Sequence, residues 1–298
     1  MTSQWVLVTG ASGFLGGHVV PLLLARGDSV TALARSANAA HRIESLGATP
    51  VHGDLDDPAS LDHAFAASSA GTLVNLASLG FGHAPAIVAA AEEAGIKRAV
   101  FISTTAIFTT LDAGSKTKRQ AAEQTIRDSA LDWTILRPTM IYGAPGDRNL
   151  ARLLRLVQRS PVVPLPGGGN RLQQPVHVDD LAQAVVAALD PANHTVTAHQ
   201  AYDIAGPEAL TFRRIVEETA AAVGRKPRLV PAPIAPLVAA GRLYERIAPN
   251  PRLKAEQLQR LAEDKAFDIG PARRDLGYDP RPFAEGIAQE AALVAAHQ

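Results

Sequence analysis

The sequence predicts an α/β fold: a doubly wound parallel sheet with a smaller C-terminal substrate-binding lobe. Three observations predict it. In the first half, short runs of Val, Ile and Leu alternate with segments of helical period, and "VLVTGASGFLGGHVV" sets glycines between the first run and the first helix. After Gly143 the rhythm breaks into turn-rich sequence. Strands that are apolar throughout and alternate with helices imply a parallel sheet covered on both faces, wound by right-handed crossovers.

Taken in order, strands are expected at Trp5–Thr9, Ser29–Ala34, Thr49–His52, Thr72–Ala77, Arg98–Ser103 and Trp133–Arg137, each rich in β-branched or apolar residues. Helices are expected between them at Gly13–Arg26, Pro58–Ala67, Ala84–Ala94 and Ser115–Ser129, with Pro21 a local conflict inside the first. Beyond the turn-rich "GAPGDR" and "SPVVPLPGGGN", further helices are expected at Leu150–Arg159, Asp179–Leu189, Thr211–Val223, Ile234–Ile247 and Phe283–Ala296. A strand is expected at Ala201–Ile204, and "KPRLVPAPIAP" reads as a Pro-rich connector. The division expected is a core over 1–145 and a substrate lobe over 146–298, with segments around 172–205 returning to the core.

Composition narrows the function. Lys plus Arg and Asp plus Glu number 29 each, so no net field favours nucleic acid or an anionic membrane. Cys is absent, which excludes disulfides, thiolate catalysis and thiolate metal sites. It also suits the cytoplasmic location we expect. No run of eighteen apolar residues suggests a membrane span, and no metal site is expected.

Gly10, Gly13 and Gly16 stand where a strand turns into a helix. The first permits the tight turn, the second lets backbone approach a pyrophosphate, and the third lets helix and strand pack closely. The N-terminus of the helix that follows offers N–H groups and positive potential to the phosphates of a dinucleotide. The second strand ends "VTALARS". Ala34 stands where a ribose-binding carboxylate would favour NAD(H), and Arg35 with Ser36 suits a 2′-phosphate. NADP(H) is therefore preferred, with NAD(H) open; the plainer reading of Arg35 is a surface arginine. Arg42 could assist if its helix faces the same way. Asp54 in "HGDLDD" could accept from an adenine amino group with Leu55 against the ring, or it could simply cap the next helix.

"TGASGFLG", "GDL", "NLAS", "FISTTAIF", "AAEQ", "LDWTILRPTMIYG", "QPVHVDDLAQAV", "AGPEALTF" and "RRDLGY" together resemble the extended and atypical short-chain dehydrogenase/reductase superfamily over nearly the whole chain. The likeness is greatest to its NmrA-like and complex I accessory-subunit-like branch. It implies a Rossmann core with epimerase-like features, and cofactor contacts from Ser12, Phe14, Leu15, Ala77, Ser103 and Pro138 beside those above. It also implies a catalytic Ser or Thr with a Tyr-x-x-x-Lys pair, in which Tyr moves the proton while nicotinamide moves a hydride. Here Thr104 fits the first role, but the Tyr position falls on Ser115 and the Lys position on Arg119, with Lys116 and Lys118 adjacent. Ser115 is a far poorer acid than a phenol.

Sugar-nucleotide epimerases of that superfamily carry an Arg four residues before the His of "HVDD"; Gln173 stands there, and Arg171 is out of phase on a strand. A nucleotide sugar is therefore disfavoured as substrate. Asp179 is expected to cap a helix beside a structural His177, and Tyr142 to matter only if the fold brings it to the nicotinamide. The leading expectation is an NADP(H)-dependent oxidoreductase acting on a small or medium organic carbonyl or enone. The others are a non-catalytic NADP(H)-binding sensor or assembly protein, and an epimerase, lyase or isomerase using bound NAD(P). A homodimer is left open.

Overall fold

The computed structural model describes residues 3–111, 114–143, 146–147, 149–247, 259 and 262–296. The boundary expected at 145, and part of the turn-rich "GAPGDR", lie outside the described residues.

The first half is β1 (Trp5–Thr9), α1 (Gly16–Ala25), β2 (Ser29–Ala34), α2 (Ala37–Ser45), β3 (Thr49–His52), α3 (Pro58–Ser68), β4 (Thr72–Asn75), α4 (Ala84–Glu93), β5 (Arg98–Ile102), α5 (Gly114–Arg127) and β6 (Asp132–Pro138). The second half holds β7 (Ile141–Tyr142), α6 (Leu150–Arg159), β8 (Val162–Pro166), β9 (Leu172–Gln173), β10 (Val176–His177), α7 (Val178–Ala188), α8 (His194–Thr197) and β11 (Gln200–Ile204). It ends with β12 (Leu210–Thr211), α9 (Phe212–Ala222), β13 (Arg228–Ala232), α10 (Ile234–Ile247), α11 (Gly270–Leu276) and α12 (Phe283–Ala296).

One seven-stranded sheet runs β11-β6-β5-β4-β1-β2-β3, and every pairing in it is parallel. Strand alternation divides the core. Val6 and Val8 pack on one side with Val19 of α1 and Val185 of α7, while Leu7 and Leu73 pack on the other with Leu61 of α3 and Ile126 of α5. The reversal of strand order between β1 and β4 places a crevice at their C-terminal ends, where such sheets bind ligands. Over it, α6, α9 and α12 gather Leu154, Ile215 and Ile287 into a separate apolar cluster.

Helix starts follow local chemistry. Ser36 accepts the Ala39 N–H at the head of α2, Thr211 that of Arg214 in α9, and Asp57 those of Ala59 and Ser60 in α3, where Pro58 opens the helix. Asp54 is therefore not the cap of α3. Pro21 lies inside α1 without ending it, its ring at the exposed surface. The Pro-rich connector is also a correction: Arg228–Ala232 is a strand, paired in parallel with β8. Prolines are tolerated because this ribbon has only two strands, so each keeps an edge that needs no donor.

Candidate functional site

The turn from β1 into α1 is built by its glycines. Gly10 has φ +74°, and a Cβ there would lie 2.8 Å from the Ala77 backbone N. Only glycine allows both the left-handed turn and this approach of the segment following β4. A Cβ at Gly16 would lie 2.1 Å from the Ala11 carbonyl oxygen, so the third glycine sets the contact of helix and turn. Gly13 is exposed, its N–H donating to the Gly10 carbonyl at 3.0 Å. Leu15 at the head of α1 has no capping side chain; the Gly17 N–H donates to the Gly13 carbonyl and the His18 N–H to the Leu15 carbonyl, and the positive end of the helix dipole points at the turn. Ser12 and Phe14 are half-buried on the same turn, with Phe14 edge-on to His18 at 5.8 Å. A turn whose glycines let the backbone pack this closely, with Gly13 exposed at the positive end of α1, fits a dinucleotide pyrophosphate.

At the end of β2, Arg35 is exposed and, among the described residues, makes no ion pair or hydrogen bond. The Ser36 oxygen accepts the capping N–H and keeps its own O–H to donate. Arg42 lies exposed in the last turn of α2. Asp54 is half-buried; its Oδ1 accepts the Asp56 N–H at 3.1 Å, and Leu55 packs partly against the core.

Beyond β5, Ser103 and Thr104 diverge. Ser103 is buried and its Oγ donates to Glu123 Oε1 at 2.6 Å, so its hydroxyl is committed to the scaffold. Arg137 of β6 grips the same carboxylate through Nε at 3.0 Å and Nη2 at 2.6 Å. Arg137 also lies 3.8 Å from Asp203 of β11 and 5.2 Å from the Phe108 ring. This buried network ties β5, α5, β6 and β11 together directly behind Thr104. Thr104 Oγ1 accepts the Ala106 N–H at 3.2 Å, capping a short 3-10 turn, and its O–H stays available to donate. Pro138 is buried, and its carbonyl accepts from Thr105 Oγ1 at 3.4 Å.

Ser115 and Arg119 stand one turn apart on α5, hence on one face. The Arg119 guanidinium lies against Gly80, just beyond β4, with Nε 3.2 Å from where a Gly80 Cβ would be. Lys116 Nζ instead donates to the Thr109 carbonyl at 2.7 Å, and Lys118 is exposed. Arg119 is thus the cation of the three that faces the crevice side of β4.

Thr104 lines a cavity of 1080 Å³ between the sheet ends and the second half of the chain. Its walls are largely apolar, with Phe108, Met140, Leu150, Leu153, Phe212 and Phe267 among them. Residues 262–267 cross its rim. Glu263 accepts from the hydroxyls of Thr109 and Thr110 at 2.6 and 2.7 Å, and the Phe267 N–H donates to Gln174 Oε1 at 2.8 Å. Burial would raise the Glu263 pKa, but these hydrogen bonds hold it below its ordinary value.

Of the protein's four tyrosines, none lines this cavity. Tyr142 is buried with its ring 5.2 Å from both His177 and Phe283, and burial beside Asp180 raises its pKa. Tyr202 and Tyr278 donate to the carbonyls of Val196 and Ala205, and Tyr244 sits on α10. His177 itself caps α7, its Nδ1 accepting the Asp179 N–H, while Asp179 pairs with His18 at 2.6 Å. This exchanges the roles the sequence suggested for Asp179 and His177. Burial and the nearby Arg281 push the His177 pKa down to about 4, so it is a neutral structural imidazole. Gln173 and Arg171 both line the cavity; Arg171 escapes the out-of-phase argument because it precedes a strand of only two residues. Among the described residues no three His, Asp or Glu could hold a metal.

The Glu123–Arg137 network and the 262–267 rim were missed in the sequence. The glutamate of "AAEQ" and arginine of "LRP" were visible signals for the first; the second carries no spacing or motif of its own.

A family model described as NAD(P)H-binding matches residues 10–192. The chain is 30% identical to the ceramide reductase of Caulobacter vibrioides, over 97% of this chain and 90% of that one. It is 28% identical to the 2-alkyl-3-oxoalkanoate reductase of Stenotrophomonas maltophilia, over 98% and 99% respectively. Among solved structures, the UDP-glucose 4-epimerase of Thermus thermophilus in complex with NAD superposes with a TM-score of 0.75 at 22% identity, covering 98% of this chain and 99% of that one. Glycine turn, parallel sheet and these likenesses agree: the chain belongs to the NAD(P)-binding oxidoreductase and epimerase family of extended short-chain dehydrogenase/reductases.

Proposed function

We propose that this protein is an NADP(H)-dependent oxidoreductase that reduces the carbonyl or enone of a small or medium organic substrate. The observation that carries the reading is Thr104, standing where the sheet ends meet a large apolar cavity with its hydroxyl proton free to be donated. The cofactor, when bound, supplies the hydride. The chain's own groups do the rest. Gly10, Gly13 and Gly16 with the head of α1 hold the pyrophosphate, and Arg35 and Ser36 hold the 2′-phosphate. Asp54 and Leu55 flank the adenine, and Arg119 reaches the nicotinamide ribose. Thr104 holds the substrate oxygen as negative charge grows on it, and the apolar walls exclude water. The proton then comes from water, from another side chain or from the substrate itself. Two relatives are named as reductases, one of a ceramide and one of a 2-alkyl-3-oxoalkanoate, which supports carbonyl reduction here.

A second reading is a non-catalytic NADP(H)-binding sensor, favoured by the lack of tyrosine in α5 and around the cavity. NADPH oxidation, followed by absorbance against ketones, enones and quinones, separates the two. Turnover of any carbonyl class supports the enzyme. Tight NADPH binding without turnover across the panel replaces it with the sensor.

A further inference from the structure

Among the described residues, the cavity wall carries Arg152 and Arg155 of α6, Arg171 and Lys265, together with two carboxylates, Glu263 and Asp264. Both carboxylates are already engaged. Glu263 accepts from Thr109 and Thr110, while Asp264 accepts from the Leu172 N–H at 2.8 Å and from Arg171 at 2.9 Å. Arg155 makes no hydrogen bond or ion pair among the described residues, though it lies within electrostatic reach of Glu290, and it lines the cavity with Leu156. Arginines on a helix are often merely solvated. Here two of them line a concavity whose walls are largely apolar, and low-dielectric walls focus their potential inward.

An occupant must match both features. Neutral hydrocarbon would satisfy the walls and ignore the cations. A nucleotide would satisfy the cations and could pair with threonine, asparagine and glutamine side chains of the wall, but would leave polar edges of its base and sugar against Met140, Leu153, Phe212 and Phe267. A molecule with an apolar body and one carboxylate satisfies both.

We propose that the substrate is an amphipathic oxo-acid, its carboxylate held by Arg155 at the α6 wall and its keto oxygen directed to Thr104. This rests on the carbonyl-reductase reading above and names the substrate class for the same cavity. Charge-assisted pairing of carboxylate and guanidinium supplies about a tenfold preference or more over a neutral isostere.

The test separates this inference from the reaction. Octanoate, octanamide and UDP are titrated by calorimetry into the protein saturated with NADPH, using wild type and Arg155→Gln. The expected result is octanoate binding at least about tenfold tighter than octanamide, with Arg155→Gln erasing most of that difference and leaving octanamide unchanged. Equal affinities for acid and amide, no effect of Arg155→Gln, or UDP binding tighter than octanoate would each overturn it. Arg155-dependent octanoate binding without reduction of any oxo-acid would leave the anion site standing and remove the reductase. Reduction of neutral ketones with Arg155-independent binding would keep the reductase and remove the anion site.

Discussion

Replacing Glu123 by Gln removes a charge from the centre of the scaffold behind Thr104. Glu123 is only 4% exposed, and the Arg137 side chain 14%. The carboxylate accepts from Ser103 and, through three contacts, from the Arg137 guanidinium. An amide of the same shape keeps one acceptor oxygen but sets its NH2 group where the guanidinium, which has only donors, needs the second. Arg137 would keep Asp203 at 3.8 Å and the Phe108 ring at 5.2 Å, neither of which replaces a bidentate carboxylate. Removing one partner of a buried pair costs about 3–5 kcal/mol, because the other charge stays buried and uncompensated. The surviving contacts place the expected loss near the low end, about 3 kcal/mol. Urea unfolding followed by circular dichroism measures it. Adding Arg137→Met to Glu123→Gln removes the stranded charge, so the double variant should recover part of the loss. A loss below about 1 kcal/mol in the single variant, or no recovery in the double, would refute the claim that this pair holds β5, β6 and α5 in place.

Arg35→Ala should weaken NADPH binding about ten- to a hundredfold and NADH binding little; equal wild-type affinities for the two cofactors would end the NADP(H) preference. Gly13→Val should abolish cofactor binding with an intact circular-dichroism spectrum, since its branches enter the exposed space over the turn; binding that persists would place the phosphates elsewhere. Thr104→Val should lower turnover more than Ser115→Ala, and Arg119→Ala should weaken cofactor binding more than Lys118→Ala. Collapse of rate in Ser115→Ala with binding intact would make that serine the acid.

The sheet was legible because its determinants are local. A buried parallel strand must be apolar on both faces, and Trp5–Thr9 and Ser29–Ala34 are bounded by turns that end them where the sequence suggests. The glycine turn was legible because its requirement is backbone geometry, which only one residue type meets at Gly10. The second half resisted for the opposite reason. β8 and β13 hold prolines and pair across more than sixty intervening residues, so neither propensity nor periodicity marks them. The rim at 262–267 is fixed by side-chain bonds to Thr109, Thr110 and Gln174, all distant in sequence. Ser103 illustrates the same limit inside the legible half: only the folded chain commits its hydroxyl to Glu123.

The anchorage of the cavity wall leads to a pH prediction. Asp147 accepts the N–H groups of Asn149, Leu150 and Ala151 and so fixes the head of α6, which carries Arg152 and Arg155. Glu290 of α12 is wholly buried beside it. Burial, then the neighbouring Asp147 charge, pushes the Glu290 pKa up to about 8. Near neutral pH the folded protein keeps this proton and the unfolded chain, with an ordinary glutamate, does not. Stability from this group is complete below the unfolded pKa and is lost as pH rises toward and through about 8. His177 acts with the opposite sign, but only between its folded value of about 4 and its ordinary value of 6.5. From pH 6.5 to 8 the Glu290 effect therefore stands alone of the two. Wild-type stability should fall there by up to about 1.4 kcal/mol per pH unit. Glu290→Gln keeps the shape without the ionisation, so its stability should be flat over the same range and should exceed that of the wild type above pH 8. Urea unfolding of both proteins at half-unit steps decides it. Parallel pH profiles would mean that Glu290 is already ionised in the fold, and that the head of α6 tolerates two adjacent buried charges.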